Sequence, residues 1–307
     1  MWILTICIIV MIIVFLCSYL MFHLIFYRPK RSTKVPSFYL DSPHYKVSRA
    51  GMAIMDTLPC KHPSITSFDG LKLEAYFYPA KQDQKRFVLG IHGYRSYARP
   101  EYGPYIEFYR SLGFHMLLPN DRAHAPSEGS YIGFGVLDRL DCIAWAQYLV
   151  DTYGEDIEII LHGVSMGAAT VLAASGEQSL PKQVIGIVAD CGFTSPWDAI
   201  SYQLKHGMHI PVYPFLPICE KICKYHAGFD LHQFAAIDQV KKATTPILFV
   251  QGGRDKMVPA FMVQQLYDAC ASRKQLLMIE DAGHAESIAL APEAYHQAIL
   301  SFFHILG

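Results

Sequence analysis

The chain begins with an almost unbroken apolar run. Between residues 2 and 27 only Thr5, Ser18 and His23 are polar. At about 1.5 Å per residue, a helix of this length crosses a hydrocarbon layer of about 30 Å with some tilt. A cleaved signal peptide would carry basic residues before the run and small residues at a cleavage site, and neither is found. The pattern predicts a transmembrane anchor over residues 1–27, with a buried helix of a soluble domain as the alternative.

Basic residues mark one side of this anchor. Four of them follow it: Arg28, Lys30, Arg31 and Lys34. No lysine or arginine precedes it. Because positive charge beside a membrane span tends to stay on the cytoplasmic side, we expect a single-pass protein of the cell membrane with its C-terminal domain in the cytoplasm. Residues 28–60 are predicted to form a linker into that domain, with a short apolar helix over Ala50–Leu58 packed on it.

Beyond the linker, short apolar runs alternate with amphipathic segments. The runs Ile65–Phe68 and Leu71–Tyr78 flank Asp69-Gly70, which is typical of a hairpin turn. Later apolar runs predict strands over Phe87–Ile91, His115–Leu118, Ile157–His162, Val184–Ala189, Ile247–Val250 and Gln275–Ile279. Helices are predicted over Tyr102–Leu112, Val136–Tyr153, Ala260–Ala271 and Pro292–Ile305, with another starting near Ala168. This alternation after an antiparallel start predicts an α/β fold over residues 61–307, with a mostly parallel central sheet covered by helices on both faces.

Charge and cysteine content exclude several classes of function. The 307 residues carry a formal net charge of −1 and no basic blocks, so nucleic acid is not an expected partner. The eight cysteines lack the spacing of a disulfide framework. Cys219 and Cys223 have the i, i+4 spacing of two ligands on a helix, but no neighbouring residues complete a zinc set. We therefore expect them to be buried apolar residues, and we expect no metal or other cofactor.

The sequence Gly163-Val164-Ser165-Met166-Gly167 follows the apolar run that ends at His162 and precedes an alanine-rich helical segment. A G-x-S-x-G pattern between a strand and a helix is typical of a nucleophile elbow, a sharp turn that raises a serine hydroxyl above the sheet. The glycines leave room for that strained turn. Ser165 is therefore the predicted nucleophile.

A serine needs a base to remove its proton, and the base needs a group that orients it. In this arrangement the order along the chain is serine, acid, histidine. Asp255 follows the predicted strand 247–250 on a glycine-rich loop, and His284 follows the last strand. Each could instead be an ordinary loop residue, but three matches in the right order favour a catalytic triad. Asp190 is the rival acid; we expect it to cap the loop after its strand.

Two backbone amides are predicted to stabilise the negative oxygen that forms during acyl transfer. One is the N–H of Met166, the residue after the nucleophile, and the other is the N–H of Tyr94, in the loop after the strand 87–91. His92 precedes this loop and could be a second catalytic histidine. Its position before Gly93 favours a structural role in holding the loop by hydrogen bonds.

These residues resemble the motifs of the α/β-hydrolase superfamily. Within it, the chain is similar to bacterial membrane-anchored serine hydrolases grouped with the S33 serine aminopeptidase-like and S9 prolyl-oligopeptidase-like branches. The resemblance covers about residues 60–307 and rests on four motifs: His92-Gly93-Tyr94, the stretch Asp121–Gly129, the elbow at Ser165, and the pair Asp255 and His284. It implies the α/β-hydrolase fold and a nucleophilic mechanism without a cofactor. Asp121–Gly129 would be a scaffold beside the active site; Ala123 and Ala125 replace its usual glycines, so its backbone is expected to differ.

A segment over about residues 196–234 lies where this superfamily inserts a cap. Its apolar residues are expected either to line an acyl pocket or to pack the cap onto the core, and Tyr202, Met208 and Phe215 are the candidate substrate-binding residues. His206 and His209 have no acidic residue nearby to complete a metal site.

An apolar cap on a membrane-tethered domain favours hydrolysis of hydrophobic carboxylic esters, with a small-molecule ester or lipid-like substrate. A peptidase of the aminopeptidase kind is the alternative. It would need acidic residues in the cap, where only Glu220 and Asp230 are present. A third alternative, a membrane-tethered scaffold with a decayed active site, predicts the loss of a triad residue, and none is missing.

Overall fold

A computed structural model describes residues 2–28, 42–82 and 85–306. Within these residues one sheet contains eight strands: β1 Ser64–Thr66, β2 Lys72–Tyr78, β3 Arg86–Ile91, β4 Phe114–Pro119, β5 Glu158–Val164, β6 Val184–Asp190, β7 Ile247–Gly252 and β8 Lys274–Ile279. Their order is β1-β2-β4-β3-β5-β6-β7-β8. β2 pairs antiparallel with β1 and β4, and the remaining pairs are parallel. The predicted mostly parallel sheet with an antiparallel start is confirmed.

The helices are α1 Trp2–Ile25, α2 Pro43–Met55, α3 Ala98–Tyr102, α4 Ile106–Ser111, α5 Asp138–Tyr153, α6 Met166–Ala174, α7 Pro196–Tyr202, α8 Phe215–Ala227, α9 Ala236–Val240, α10 Ala260–Ala269, α11 Ser287–Leu290 and α12 Pro292–Leu306. The single helix predicted over Tyr102–Leu112 is instead α3, a 3₁₀ turn over Gly103–Tyr105, and α4. Pro104 lies in that turn, and proline lacks the N–H that a continuous helix would use there.

Helices cover both faces of the sheet. Phe87 and Leu89 of β3 pack with Trp145 of α5 on one face. Val88 points the other way and packs with Tyr109 of α4 and Phe302 of α12. Because parallel strands buried on both faces are apolar at nearly every position, these runs were visible in the sequence as uninterrupted hydrophobic segments.

By length and composition, α1 is a candidate membrane-spanning helix. Most of its side chains are exposed, as expected of a lipid-facing helix. Near its end, however, Phe22 and Phe26 are fully buried against the rest of the protein. Of the basic residues predicted to orient the helix, Lys30, Arg31 and Lys34 lie outside the described residues.

The apolar helix predicted over Ala50–Leu58 exists, but as α2 it starts earlier and ends at Met55. The Ser42 hydroxyl accepts the N–H of Tyr45 at 3.1 Å, and Pro43 occupies the first turn. Both residues favour a helix start at this position. Part of the predicted linker is therefore a helix, packed on α3 and the 3₁₀ turn that follows it.

The insert forms α7, a π-type turn over Gln203–Gly207, and α8. Cys219 and Cys223 are buried there in an apolar cluster with Leu216 and with Phe22 of α1, in agreement with their expected packing role. The insert therefore packs on α1, and both share an apolar cluster with Met166 of the elbow.

The loop Asp121–Gly129 is a scaffold in the structure as well. Arg122 is buried and donates to Asp141 at 2.7 and 2.8 Å and to Asp69 at 2.9 and 3.2 Å. Ala123 has a φ of 61°, the left-handed conformation that favours glycine. At this position the alanine occupies the conformation expected of a glycine, at a cost of about 1 kcal/mol.

Candidate active site

Ser165 occupies the sharp turn between β5 and α6, with φ 56° and ψ −115°. A Cβ on Gly163 would lie 2.2 Å from the carbonyl oxygen of Gly167, and one on Gly167 would lie 1.9 Å from that of Ile91. Both distances are far inside van der Waals contact, so any larger residue would displace the backbone. The strained serine conformation costs about 1–3 kcal/mol and is held by the packing around it.

The structure brings the three predicted triad residues together. His284 Nε2 lies 2.8 Å from Ser165 Oγ, and His284 Nδ1 lies 2.7 Å from Asp255 Oδ2. The other oxygen of Asp255 accepts the N–H groups of Met257 at 2.8 Å and Val258 at 2.9 Å. The carboxylate is thus held from behind while it faces the imidazole. It can only accept from His284 Nδ1, which leaves Nε2 free to accept the serine proton.

The surroundings of His284 favour its charged form. Burial lowers its pKa, but the charge of Asp255 and its hydrogen bond outweigh that effect, and Asp190 and Glu101 add to them. The pKa of His284 is therefore raised above its ordinary value of 6.5. An imidazolium that forms when the serine proton is transferred is stabilised in the same way.

This shift predicts the pH dependence of activity. A base must be neutral to accept a proton, so kcat/KM should fall as the pH drops through the raised pKa of His284, above 6.5. The measurement is kcat/KM for a p-nitrophenyl ester across roughly pH 5 to 9, a range that brackets the titration of histidine. An acid limb centred below 6.5 would contradict the role of Asp255 in raising this pKa.

Asp190, the rival acid, forms no hydrogen bond with His284. Its Oδ2 accepts the hydroxyl of Tyr295 at 3.0 Å, and its backbone carbonyl accepts the N–H of Ser165 at 2.8 Å. Burial raises the pKa of Asp190 to about 7. We expected the Asp190 side chain to bond to the loop after its strand, but it bonds to Tyr295 instead. Through its carbonyl, Asp190 also holds the backbone of the elbow.

The amides of Tyr94 and Met166 are both available beside Ser165. The neighbouring N–H groups already donate hydrogen bonds. The N–H of Gly93 donates to Glu101 Oε2 at 3.2 Å, and the N–H of Arg95 donates to His124 Nε2 at 3.1 Å. Among the described residues, no acceptor engages the N–H of Tyr94 or of Met166. Gly93 holds this loop close to the nucleophile, since a Cβ there would lie 3.3 Å from the Cβ of Ser165.

His92 has the structural surroundings expected of it. It is fully buried, its Nε2 accepts the N–H of Asp121 at 3.1 Å, and its Nδ1 donates to the carbonyl of Gly93 at 2.8 Å. Burial lowers its pKa to about 4, so the ring is neutral at physiological pH. It joins the loop of Tyr94 to the scaffold loop.

Ser165 and His284 lie between two cavities. One has a volume of about 340 Å³ and includes the polar side chains of His44, Ser48 and Glu101. The other, of about 220 Å³, is almost wholly apolar. Its walls include Ile25, Phe134, Phe193, Ile200, Leu204 and Met208. Both cavities have mainly apolar walls; we call the one that includes Glu101, which has the larger polar share, the polar cavity.

Only one of the three cap candidates lines a cavity that reaches Ser165. Met208 does, whereas Tyr202 contacts the rings of His206 and Phe261 at tilted and edge-on angles, and Phe215 belongs to neither cavity. Tyr202 packs against the apolar cluster that contains Met166, and a substrate-binding role for Tyr202 and Phe215 stays a prediction.

Sequence reasoning missed two residues of the site. Glu101 is buried beside Gly93, and nothing in the sequence around it distinguishes it from a surface acid on a helix. Ile25 was interpreted only as part of a membrane span. Both reach the site through contacts between distant segments, which leave no local pattern.

Two clusters of described residues have metal-ligand atoms close together. One is Cys191 with Asp255 and His284, whose polar contacts are those of the triad. The other lies on the cap surface, where His232 pairs with Glu220 at 2.7 Å and Lys224 pairs with Asp230 at 3.1 Å. Neither gives reason to invoke a metal.

Comparison with known proteins identifies a family. The model of the prolyl oligopeptidase family matches residues 135–305. The uncharacterized protein YqkD of Bacillus subtilis is 25% identical over 198 residues, covering 64% of this chain and 65% of that protein. The uncharacterized membrane protein YNL320W of Saccharomyces cerevisiae is 25% identical over 183 residues, covering 59% and 58%. The match thus spans less than two thirds of the length of these curated relatives.

Solved structures share the fold. The esterase Pf2001 of Pyrococcus furiosus superposes with a TM-score of 0.68 at 24% identity, covering 92% of this chain and 99% of the esterase. The acylaminoacyl peptidase of Pyrococcus horikoshii gives a TM-score of 0.59 at 14% identity, covering 82% of this chain and 43% of the peptidase. The α/β-hydrolase fold predicted from the motifs is confirmed.

Proposed function

This chain belongs to the prolyl oligopeptidase family, and we propose that it is a serine hydrolase that cleaves carboxylic esters, with a preference for hydrophobic acyl groups. The observation that carries the proposal is the continuous contact from Asp255 through His284 to Ser165, at 2.7 and 2.8 Å, beside an almost wholly apolar cavity. The ester link would lie at Ser165, with the acyl chain in that cavity and the alcohol in the polar one.

The reaction follows from this geometry. Ser165 Oγ attacks the ester carbonyl carbon while His284 Nε2 takes its proton, and Asp255 stabilises the imidazolium. The N–H groups of Tyr94 and Met166 receive the negative oxygen of the tetrahedral intermediate. His284 then returns the proton to the leaving alcohol, and an acyl-enzyme remains. Water activated by the same imidazole releases the acid and restores the serine.

A fluorophosphonate probe tests the proposal directly. We expect covalent labelling that is lost in Ser165→Ala, together with turnover of p-nitrophenyl esters that rises with acyl length. If the wild-type protein is not labelled and hydrolyses no ester, the esterase proposal is wrong, and the membrane-tethered scaffold becomes the favoured alternative.

The structure weakens the peptidase alternative in the cap. Glu220 accepts the N–H of Leu231 at 3.0 Å as well as His232, and Asp230 is paired with Lys224. Both acids are thus occupied within the cap. Glu101 in the polar cavity is the one observation that favours a peptidase, because its Oε1 accepts no hydrogen bond among the described residues and lies 3.4 Å from His44 Nε2.

Glu101→Gln separates the two activities. The amide oxygen of Gln can still accept the N–H of Gly93, so ester kcat/KM should change little. If Glu101 instead bound a substrate amino group, the variant would lose about 2 kcal/mol or more, roughly 30-fold, with aminoacyl anilides. Glu107→Gln, at an exposed position of α4, is the control. Faster turnover of anilides than esters, lost only in Glu101→Gln, would establish the peptidase.

The membrane location has two parts. α1 is a candidate span, and attachment of the domain to a membrane through it is consistent with its exposed apolar surface. The cytoplasmic side stays a prediction from the basic residues that follow the helix.

A further inference from the structure

The last turns of α1 are built into the catalytic domain. Phe22 and Phe26 are 1% and 0% exposed, whereas Leu20 and Leu24 are 57% and 63% exposed. The ring of Phe26 lies 5.2 Å from that of Phe134, a residue that also lines the apolar cavity. One face of the helix end is therefore part of the protein core, and the opposite face is free for lipid.

Polar contacts tie the same turns to the active-site loop. The Tyr94 hydroxyl donates to the carbonyl of Ile25 at 2.8 Å, and Arg95 donates to the carbonyl of Leu24 at 2.6 Å. The last carbonyls of a helix have no partner within it. Here Tyr94, whose N–H is the proposed oxyanion donor, and its neighbour Arg95 donate to two of these carbonyls. The end of α1 and the loop of Tyr94 are thus one unit.

Ile25 completes the apolar cavity. It is half-buried and lines the space that reaches Ser165, together with residues of the cap such as Leu204 and Met208. Met208 and Met257 also line this space and are 61% and 44% exposed, so they lie where the cavity opens to the surface.

We propose that the anchor helix forms one wall of the acyl site, and that the substrates are acyl esters with a polar alcohol that enter the site directly from the lipid layer. This inference rests on the proposed esterase function. A helix of 24 residues is about 36 Å long, slightly more than the hydrocarbon thickness, so Ile25 lies at the edge of the layer. The apolar cavity therefore has part of its wall near that edge, and Ser165 and His284 line this cavity and the polar one.

The route has an energetic reason. Moving an acyl chain from lipid into water has a free-energy cost that grows with each methylene group. Passage from lipid into an apolar cavity at the layer's edge avoids this cost, because the chain stays in apolar surroundings throughout. The cavity needs a wall at that edge, and Ile25 supplies it.

Full-length protein in phosphatidylcholine vesicles tests the wall. Ile25→Trp fills the cavity beside the helix, and Leu20→Trp places the same side chain on its lipid-facing surface as a matched control. We expect Ile25→Trp to lower kcat/KM for dodecanoate esters about 10-fold or more relative to kcat/KM for acetate esters. Leu20→Trp should change neither, and Ile25→Ala should shift the preference to longer chains. Fluorophosphonate labelling of each variant verifies a folded site.

The route is tested by where the substrate is placed. A dodecanoyl ester in the vesicles that carry the protein should be cleaved much faster than the same ester in separate vesicles. Equal rates would reject entry from the lipid layer. An unchanged chain-length profile in an active Ile25→Trp variant, or equal losses with short and long esters, would reject the anchor's role alone. Failure of the wild type to hydrolyse any ester would reject the proposed function itself.

Discussion

Ser165→Ala should lower ester kcat by about 10⁶-fold, to the residual rate that binding and the oxyanion donors provide. The Ser165 hydroxyl lies 2.8 Å from His284 Nε2, and the flanking glycines carry no side chain that could replace it. Alanine keeps the Cβ and the backbone conformation, so the fold should survive. The measurement is single-turnover and steady-state hydrolysis of a p-nitrophenyl ester, with circular dichroism to verify folding.

Ser175→Ala provides the matched control. This serine follows α6, is buried, and donates to the carbonyl of Leu172 at 2.7 Å without reaching the site. It should retain turnover and fluorophosphonate labelling. Turnover by Ser165→Ala close to that of Ser175→Ala would show that another group is the nucleophile.

Asp255→Asn should lower kcat by about 10⁴-fold. The carboxylate only accepts, so it keeps the proton of His284 on Nδ1. The asparagine oxygen would instead accept the N–H groups of Met257 and Val258 and turn its amide N–H toward the ring. The proton then moves to Nε2, which no longer accepts from Ser165. The acid limb of the pH profile should move to lower pH as well, since the raising charge is gone.

Asp190→Asn is the comparison that identifies the acid. Its amide oxygen can still accept the hydroxyl of Tyr295, and the side chain at this position forms no hydrogen bond with His284. We expect a loss far smaller than that of Asp255→Asn. The reverse order of the two effects would transfer the orienting role to Asp190.

The turn that carries Ser165 could be predicted from the sequence, because the interactions that form it are local. The run of apolar residues before Gly163 predicts a buried strand. Gly163 and Gly167 lie two residues before and after Ser165, and a Cβ at either position would approach a backbone oxygen to 2.2 or 1.9 Å, so both positions require glycine. The start of α2 was missed, because the helix was predicted from its apolar residues over Ala50–Leu58, although Ser42-Pro43 is a local helix-start pattern.

The sequence alone determined the α/β architecture, the elbow and the chain order of the candidate triad, because strand burial and turn sterics act between near neighbours. Only the tertiary structure decided that Glu101 lines the polar cavity and that Ile25 and Met208 line the apolar one. These placements depend on how remote segments pack. An isoleucine in an apolar helix has the same pattern whether it meets lipid or the wall of a binding site.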